Sequence, residues 1–304
     1  MSLTSKIGHY VSCLKSFARE PRVFLSAGVC AASACPKGYK QHYLIHTMAK
    51  VGSKTIVRTI QKSSPTAYLQ ITHSLANQSV CLAEKSVEAL PVKPWKQLDK
   101  SRTIQRWITG NELPIKWNVM SPVRDPVARD VSYFFECLPM FYPELVASEN
   151  VNQLLEKFYE VIEAIDENPA SSMMSYVSHP TTWFDDEIKP LFSIDVFDQP
   201  FDFDRGFSVY HSPNANLVVP RLEDFDRCLE SALCALLNRQ KVEILNTNRA
   251  ADKFERAPFY RLYKEFQSKV APSQQYLDSV YNSKFSKHFF SSSELEKLQA
   301  KWSR

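Results

Sequence analysis

The sequence predicts one α/β domain built on a parallel sheet. A first buried segment, Tyr43–Met48, is followed by a loop, by a helical stretch over residues 54–62, and by a second apolar segment, Tyr68–Thr72. A strand, a helix and another strand in this order are typical of the start of a parallel sheet. The 304 residues are 44% hydrophobic and 23% charged, which is the balance of an ordinary globular protein.

The later segments extend this pattern. Residues 77–110 predict helices with loops around Pro91 and Pro94, and Lys116–Ser121 predicts a third strand. A helix is predicted from Val127 to about Cys137, with Pro126 in its first turn. Further helices are predicted over Val151–Glu167, which is amphipathic, over Leu222–Leu237, and from Asp252 to the end. Further strands are predicted near Ile194–Phe197, Phe207–His211, Asn216–Pro220 and Val242–Leu245.

These elements predict the domain organisation. We expect an N-terminal helical extension over residues 1–40 and a single domain over residues 41–304, with an insertion at about 170–212 and a helical C-terminal part. The longest early apolar stretch, Val23–Cys35, is far shorter than the roughly 20 residues that a membrane span needs. The first 20 residues are too polar for a signal peptide. We therefore expect no membrane partner.

The net charge and the cysteine content argue against several classes of function. The net charge of +4 is compatible with an anionic ligand but is too small to indicate nucleic acid binding. The seven cysteines are irregularly spaced and form no C-x-x-C pair, which argues against disulfides and structural zinc. These observations favour a cytoplasmic protein with reduced thiols.

The loop after the first strand predicts a phosphate site. Lys50-Val51-Gly52-Ser53-Lys54-Thr55 joins the strand to the next helix, where backbone N–H groups and the helix dipole favour an anion. Gly52 permits close approach of the backbone, Ser53 and Thr55 supply hydroxyl groups, and the two lysines supply charge. The loop departs from the nucleotide triphosphatase motif G-x-x-x-x-G-K-[ST], because Thr47 stands where its first glycine would be and Gly52 is not adjacent to Lys54.

A second anion site is predicted after the third strand. Arg124 lies three residues after the end of that strand, and Ser132 lies eight residues later, about two turns along the next helix. The carboxyl ends of parallel strands form the ligand edge of such sheets, and the arginine fork matches phosphate. We interpret Arg129, on the same helix, as a solvated charge.

Together the two motifs resemble those of sulfotransferases that use 3′-phosphoadenosine-5′-phosphosulfate (PAPS). The first loop is similar to their 5′-phosphosulfate loop, and Arg124-Asp-Pro with Ser132-Tyr-Phe-Phe is similar to their 3′-phosphate site. The resemblance implies a P-loop-NTPase-like central parallel sheet flanked by helices. It also implies that Arg124 and Ser132 bind the 3′-phosphate, that PAPS is the donor, and that 3′-phosphoadenosine-5′-phosphate (PAP) is a product.

A narrower resemblance is to a bacterial family of capsular polysaccharide synthesis proteins. It extends over most of residues 40–302. The segments that carry it are Met48–Ser53, Arg124–Phe135, Trp183–Glu187, Ile194–Phe197, Pro200–Asp202, Val280–Phe285 and His288–Phe290.

Sulfuryl transfer to a hydroxyl or amine requires charge neutralisation and a base. We expect Lys50 to stabilise the leaving phosphate and His73, which follows the second strand, to act as the base; no metal is needed. His46 is interpreted as a core residue, and other candidates for the base are His179, Asp185 and Glu187. The alternative for Asp185 and Glu187 is a helix N-terminal turn capped by Thr181 or Thr182.

Residues 185–204 suggest the acceptor. They contain seven acidic residues against Lys189 alone, interleaved with aromatic residues, and either form an anionic aromatic pocket or a solvated loop. We expect a carbohydrate or a small natural product such as a guanidinium alkaloid, while homodimer formation stays open. Two other functions remain: an ATP-dependent small-molecule kinase, and a non-catalytic nucleotide-binding protein of polysaccharide assembly.

Overall fold

The computed structural model describes residues 38–88, 95–110, 115–163, 174, 177–245 and 258–303. Several predictions lie outside these ranges: residues 1–37 of the N-terminal extension, the loops at Pro91 and Pro94, and the parts of predicted helices over residues 164–167 and 252–257. The division of the chain into residues 1–40 and 41–304 stays a prediction.

A five-stranded sheet forms the centre of the described region. Its strands are β1 His42–His46, β2 Tyr68–Thr72, β3 Trp117–Met120, β4 Phe207–His211 and β5 Ala215–Pro220. They lie in the order β2-β1-β3-β5-β4, and all neighbours are parallel except β4, which runs antiparallel to β5 at the edge. The predicted α/β class with a central sheet flanked by helices is confirmed, but the sheet is mostly parallel and not entirely so, and the likeness to P-loop NTPases stays a prediction.

Helices surround the sheet. They are α1 Ser53–Ser63, α2 Asn77–Ser86, α3 Trp95–Thr109, α4 Pro126–Phe141, α5 Pro143–Ser148, α6 Val151–Glu163, α7 Lys189–Phe192, α8 Phe225–Leu237, α9 Pro258–Lys269, α10 Gln274–Tyr281, α11 Lys284–Phe289 and α12 Ser292–Trp302. A π-helix spans Phe184–Ile188, and 3₁₀ turns span Val196–Asp198 and Leu222–Asp224.

Alternating side chains of the strands feed two apolar cores. Leu44 of β1 belongs to one core, and its neighbours Tyr43 and Ile45 belong to the other, because successive side chains of a strand point to opposite faces. The core on the Tyr43 face includes Ile56 of α1 and the apolar side of α8. The core on the Leu44 face includes α4 and the C-terminal helices. Both faces of the sheet are thus covered, as parallel strands require.

Two predicted strands are wrong. Residues 196–198 form a 3₁₀ turn because the Asp195 carboxylate accepts a hydrogen bond from the Phe197 N–H at 3.0 Å and so caps the turn. Residues 242–245 are irregular. Val242 packs into the core beside α1, and the Leu245 N–H donates to Thr59 Oγ1 at 3.1 Å instead of to a strand.

Candidate functional site

Three predicted site segments meet at the carboxyl edge of the sheet. The loop 47–52 follows β1, His73 follows β2, and Arg124 lies four residues after β3. Because β1 is parallel to both β2 and β3, these strands end on the same side. The fold therefore brings the loop and both other predicted segments to the edge where ligands of open α/β sheets bind.

The loop before α1 has an unusual backbone. Ala49, Lys50 and Gly52 have φ angles of 61°, 58° and 78°, in the left-handed region. Such a conformation is unfavourable for the two residues that carry a Cβ, and it is concentrated at functional sites. In the described region no side chain caps the start of α1 at Gly52. The first N–H groups of this helix are therefore directed toward the same edge without a side-chain acceptor.

The predicted loop residues differ in what they can offer a ligand. Val51 is completely buried and packs in the core, so that only its backbone is available. Thr55 is also buried, while Ser53 and Lys54 are half-buried. Lys50 Nζ lies 3.2 Å from Glu136 Oε2, and both side chains are partly exposed. An exposed pair of this kind is weak, so an anionic ligand can compete with Glu136 for Lys50.

Arg124 connects the two predicted anion motifs. Its Nη1 donates to the Lys50 carbonyl oxygen at 3.0 Å and to Ser132 Oγ, also at 3.0 Å. The preceding Asp125 fixes the start of α4, because its carboxylate accepts from the Val127 N–H at 3.2 Å. Lys50, Arg124 and Ser132 are thus held in one cluster, while their binding of an anion stays a prediction.

His73 lies beside the loop in a defined tautomer. Its Nδ1 is 2.8 Å from the Thr47 carbonyl oxygen, which can only accept, so Nδ1 carries the proton and Nε2 holds a lone pair in the neutral ring. Burial lowers the pKa of His73, although the hydrogen bond to Thr47 and the charge of Glu136 raise it. A ring that is neutral near pH 7, with Nε2 unprotonated, meets the chemical requirement for a base.

The interpretation of Arg129 as a solvated charge is wrong. Its side chain is completely buried, and its Nε and Nη2 both donate to the Met48 carbonyl oxygen at 2.9 and 2.7 Å. Its Nη1 donates to Asp130 Oδ1 at 2.8 Å. Arg129 is buried because α4 turns it toward the end of β1, where it holds the first residues of the loop.

Asp130 ties this arginine to more distant segments. Its Oδ2 accepts from His179 Nε2 at 2.9 Å and from the Tyr276 hydroxyl at 2.5 Å. Burial opposes ionisation, but His179, Arg129 and the hydrogen bond from Tyr276 outweigh it and lower the pKa of Asp130 to about 2. His179, a candidate for the base, is therefore part of a hydrogen-bond network that connects α4 to α10.

The other candidates for the base are also accounted for. Glu187 is completely buried, and its Oε2 accepts from His46 Nε2 at 2.9 Å and from the N–H groups of Leu75 and Ala76 at 2.9 and 3.0 Å. Its Oε1 has no hydrogen-bond partner in the part of the chain that the structure describes. Asp185 is about half exposed, 3.9 Å from Lys284 Nζ. Glu187 thus supports the backbone just after His73, while His46 is the core residue that we predicted.

The anionic aromatic pocket is wrong for most of its residues. Four of its six aromatic side chains are buried in the core because they pack against α11 and the sheet: Trp183, Phe184, Phe192 and Phe201. The capped helix turn at Thr181 or Thr182 is also wrong, since a π-helix begins at Phe184 without a side-chain cap. A π-helix is uncommon and recurs at functional sites; here it carries Glu187.

Lys100 and Glu136 belong to the site but were not predicted. Lys100 Nζ donates to the Ile71 carbonyl oxygen at 2.7 Å, near the end of β2, and burial lowers the pKa of Lys100 to about 8. The charges of Lys100 and Glu136 both act on His73. Neither residue had a local signal in the sequence. Asp130 did have one, since it shares a helical stripe with Val127 and Phe134, and a charge on an apolar stripe requires a partner.

None of the helices that the structure describes is both long enough and apolar enough to cross a bilayer.

Comparison with known proteins relates part of the chain to polysaccharide synthesis. Residues 173–291, fewer than half of the chain, match the model of a family described as "Putative capsular polysaccharide synthesis protein". The match includes the π-helix with Glu187 and the C-terminal helices α9 and α10, and it does not include the loop at Lys50 or the Arg124 motif. No curated protein and no solved structure matches this chain.

Proposed function

We propose that this protein is a PAPS-dependent sulfotransferase. The observation that carries the proposal is the position of Arg124, whose Nη1 contacts both the Lys50 carbonyl oxygen and Ser132 Oγ at 3.0 Å. One guanidinium group therefore links a phosphate-type loop to a second anion site. A nucleotide with phosphates at both its 5′ and 3′ positions provides an anion for each of them.

The chemistry requires only positioning, charge neutralisation and one base. In the proposed reaction the sulfur forms a bond to the acceptor oxygen as its bond to the bridging oxygen of PAPS breaks. The acceptor proton passes to Nε2 of His73, and the new negative charge remains on the phosphate of PAP. Lys50, released from Glu136, lies at the loop that would hold this phosphate.

Two observations bear on the nature of the acceptor. Four aromatic side chains of the pocket that was predicted to bind a cation lie in the core, where they cannot stack on a ligand. The family description of residues 173–291 also concerns a polysaccharide. We therefore propose a sugar hydroxyl as the acceptor.

Thermal unfolding in the presence of nucleotides tests this proposal. A nucleotide that binds only the folded state raises the free energy of unfolding, by about 2.7 kcal/mol at one hundred times its Kd. We expect PAP to raise the Tm more than ADP or ATP with Mg²⁺ at equal concentration. A larger shift with ATP and Mg²⁺ would instead support a kinase.

A further inference from the structure

Ser132 has a second neighbour besides Arg124. The hydroxyl of Tyr263, on α9, lies 3.3 Å from Ser132 Oγ. Gln267, one turn further along α9, donates from Nε2 to the Tyr263 hydroxyl oxygen at 2.7 Å. The four polar groups form one connected chain: Arg124, Ser132, Tyr263 and Gln267.

The Tyr263 ring is held in place by packing. It contacts Phe135 edge-on, with ring centroids 4.9 Å apart, and Phe135 lies one turn after Ser132 on α4. Phe266 of α9 packs against Phe135 as well, at 4.8 Å. The contact between α4 and α9 therefore fixes the hydroxyl of Tyr263 beside that of Ser132.

The hydrogen-bond chain gives Tyr263 a donor role. Because Gln267 donates to the phenolic oxygen, the proton of Tyr263 is free to point toward Ser132 and the space shared with Arg124. Arg124, Tyr263 and Gln267 are each half-buried, so a ligand can reach them from solvent. Arg124, Ser132 and Tyr263 each carry N–H or O–H groups, and the hydrogen bonds between them keep these groups in one cluster, which suits a phosphate group.

We infer that Tyr263, oriented by Gln267, is a third ligand of the anion bound by Arg124 and Ser132. This inference rests on the proposed function, which makes that anion the 3′-phosphate of PAPS or PAP. It assigns to α9, inside the segment that matches the family model, a direct part in selecting the nucleotide.

Calorimetric titration of the full chain with PAP and with AMP, which differs from PAP only by the 3′-phosphate, tests the inference. Tyr263→Phe should weaken PAP binding about 10-fold, as expected for one hydrogen bond to a charged group, and should leave AMP binding unchanged. Gln267→Glu, which replaces the donor by a negatively charged acceptor, should also weaken PAP binding selectively.

Tyr159→Phe is the matched control. Tyr159 lies on α6 and is half-buried like Tyr263, and its hydroxyl oxygen accepts a hydrogen bond from the Ala271 N–H at 2.9 Å. The substitution removes this hydrogen bond. It should keep wild-type affinity for both nucleotides. Unchanged PAP affinity in Tyr263→Phe, or equal losses for PAP and AMP, would overturn the role of Tyr263. Absence of any PAP preference in the wild-type protein would overturn the proposed function itself.

Discussion

Arg129 holds the carbonyl oxygen of Met48 with two donors, Nε at 2.9 Å and Nη2 at 2.7 Å. This contact attaches the second anion motif to the start of the first. Met48 precedes Ala49 and Lys50, the two non-glycine residues of this loop with left-handed backbone, so Arg129 stabilises the strained part of the loop.

Arg129→Met should therefore lower the free energy of unfolding by about 3–5 kcal/mol, since it also leaves the buried Asp130 carboxylate without its arginine partner. Denaturant unfolding measures this loss. The double variant Arg129→Met with Asp130→Asn should be less destabilised than the sum of the single variants. Additive losses would mean that the two side chains do not act as a pair.

Gly52→Ala should destabilise the protein and weaken PAP binding. The residue has φ of 78°, and an added Cβ would lie 2.7 Å from Cε2 of the Phe225 ring. The backbone strain alone costs about 1–2 kcal/mol. Gly38→Ala is the control, because an added Cβ there has no atom within 4 Å in the described structure. The two variants are compared by Tm and by calorimetry, and equal effects would contradict a special role for Gly52.

His73→Asn should leave PAP binding intact and slow PAP release from PAPS in the presence of sugar acceptors by about 10²–10⁴-fold. Burial lowers the pKa of His73, so the ring stays neutral as the pH falls to the usual range of histidine pKa values. The wild-type rate should therefore stay constant down to that range and decline only below it. His211→Asn, exposed on β4, is the control. A wild-type rate that rises through pH 8 would indicate another base, and Lys100 is the candidate because burial lowers its pKa to about 8.

The sequence predicted the local part of the site. The loop at Lys50–Thr55 lies between two recognisable elements, and Arg124 and Ser132 share one short segment, so their spacing is visible in the chain. The apolar segments Tyr43–Met48 and Tyr68–Thr72 likewise predicted β1 and β2.

Long-range contacts explain what the sequence did not reveal. Arg129 and Met48 are 81 residues apart, Ser132 and Tyr263 are 131 apart, and His46 and Glu187 are 141 apart. A polar residue taken alone is best interpreted as solvated, and only the packing of helices on the sheet shows which ones pair inside. The pocket predicted from the aromatic residues of 183–201 was wrong for the same reason. Their composition suited a pocket, but most of their side chains pack in the core.

The central claim is that Arg124 recognises a 3′-phosphate, and the most direct test compares PAPS with adenosine 5′-phosphosulfate, which lacks that group. Calorimetry on the wild type, on Arg124→Ala and on the exposed control Arg106→Ala gives the Kd of each donor. We predict that Arg124→Ala weakens PAPS binding about 100-fold and leaves adenosine 5′-phosphosulfate nearly unaffected, whereas Arg106→Ala changes neither. Equal losses for both donors in Arg124→Ala would contradict the claim.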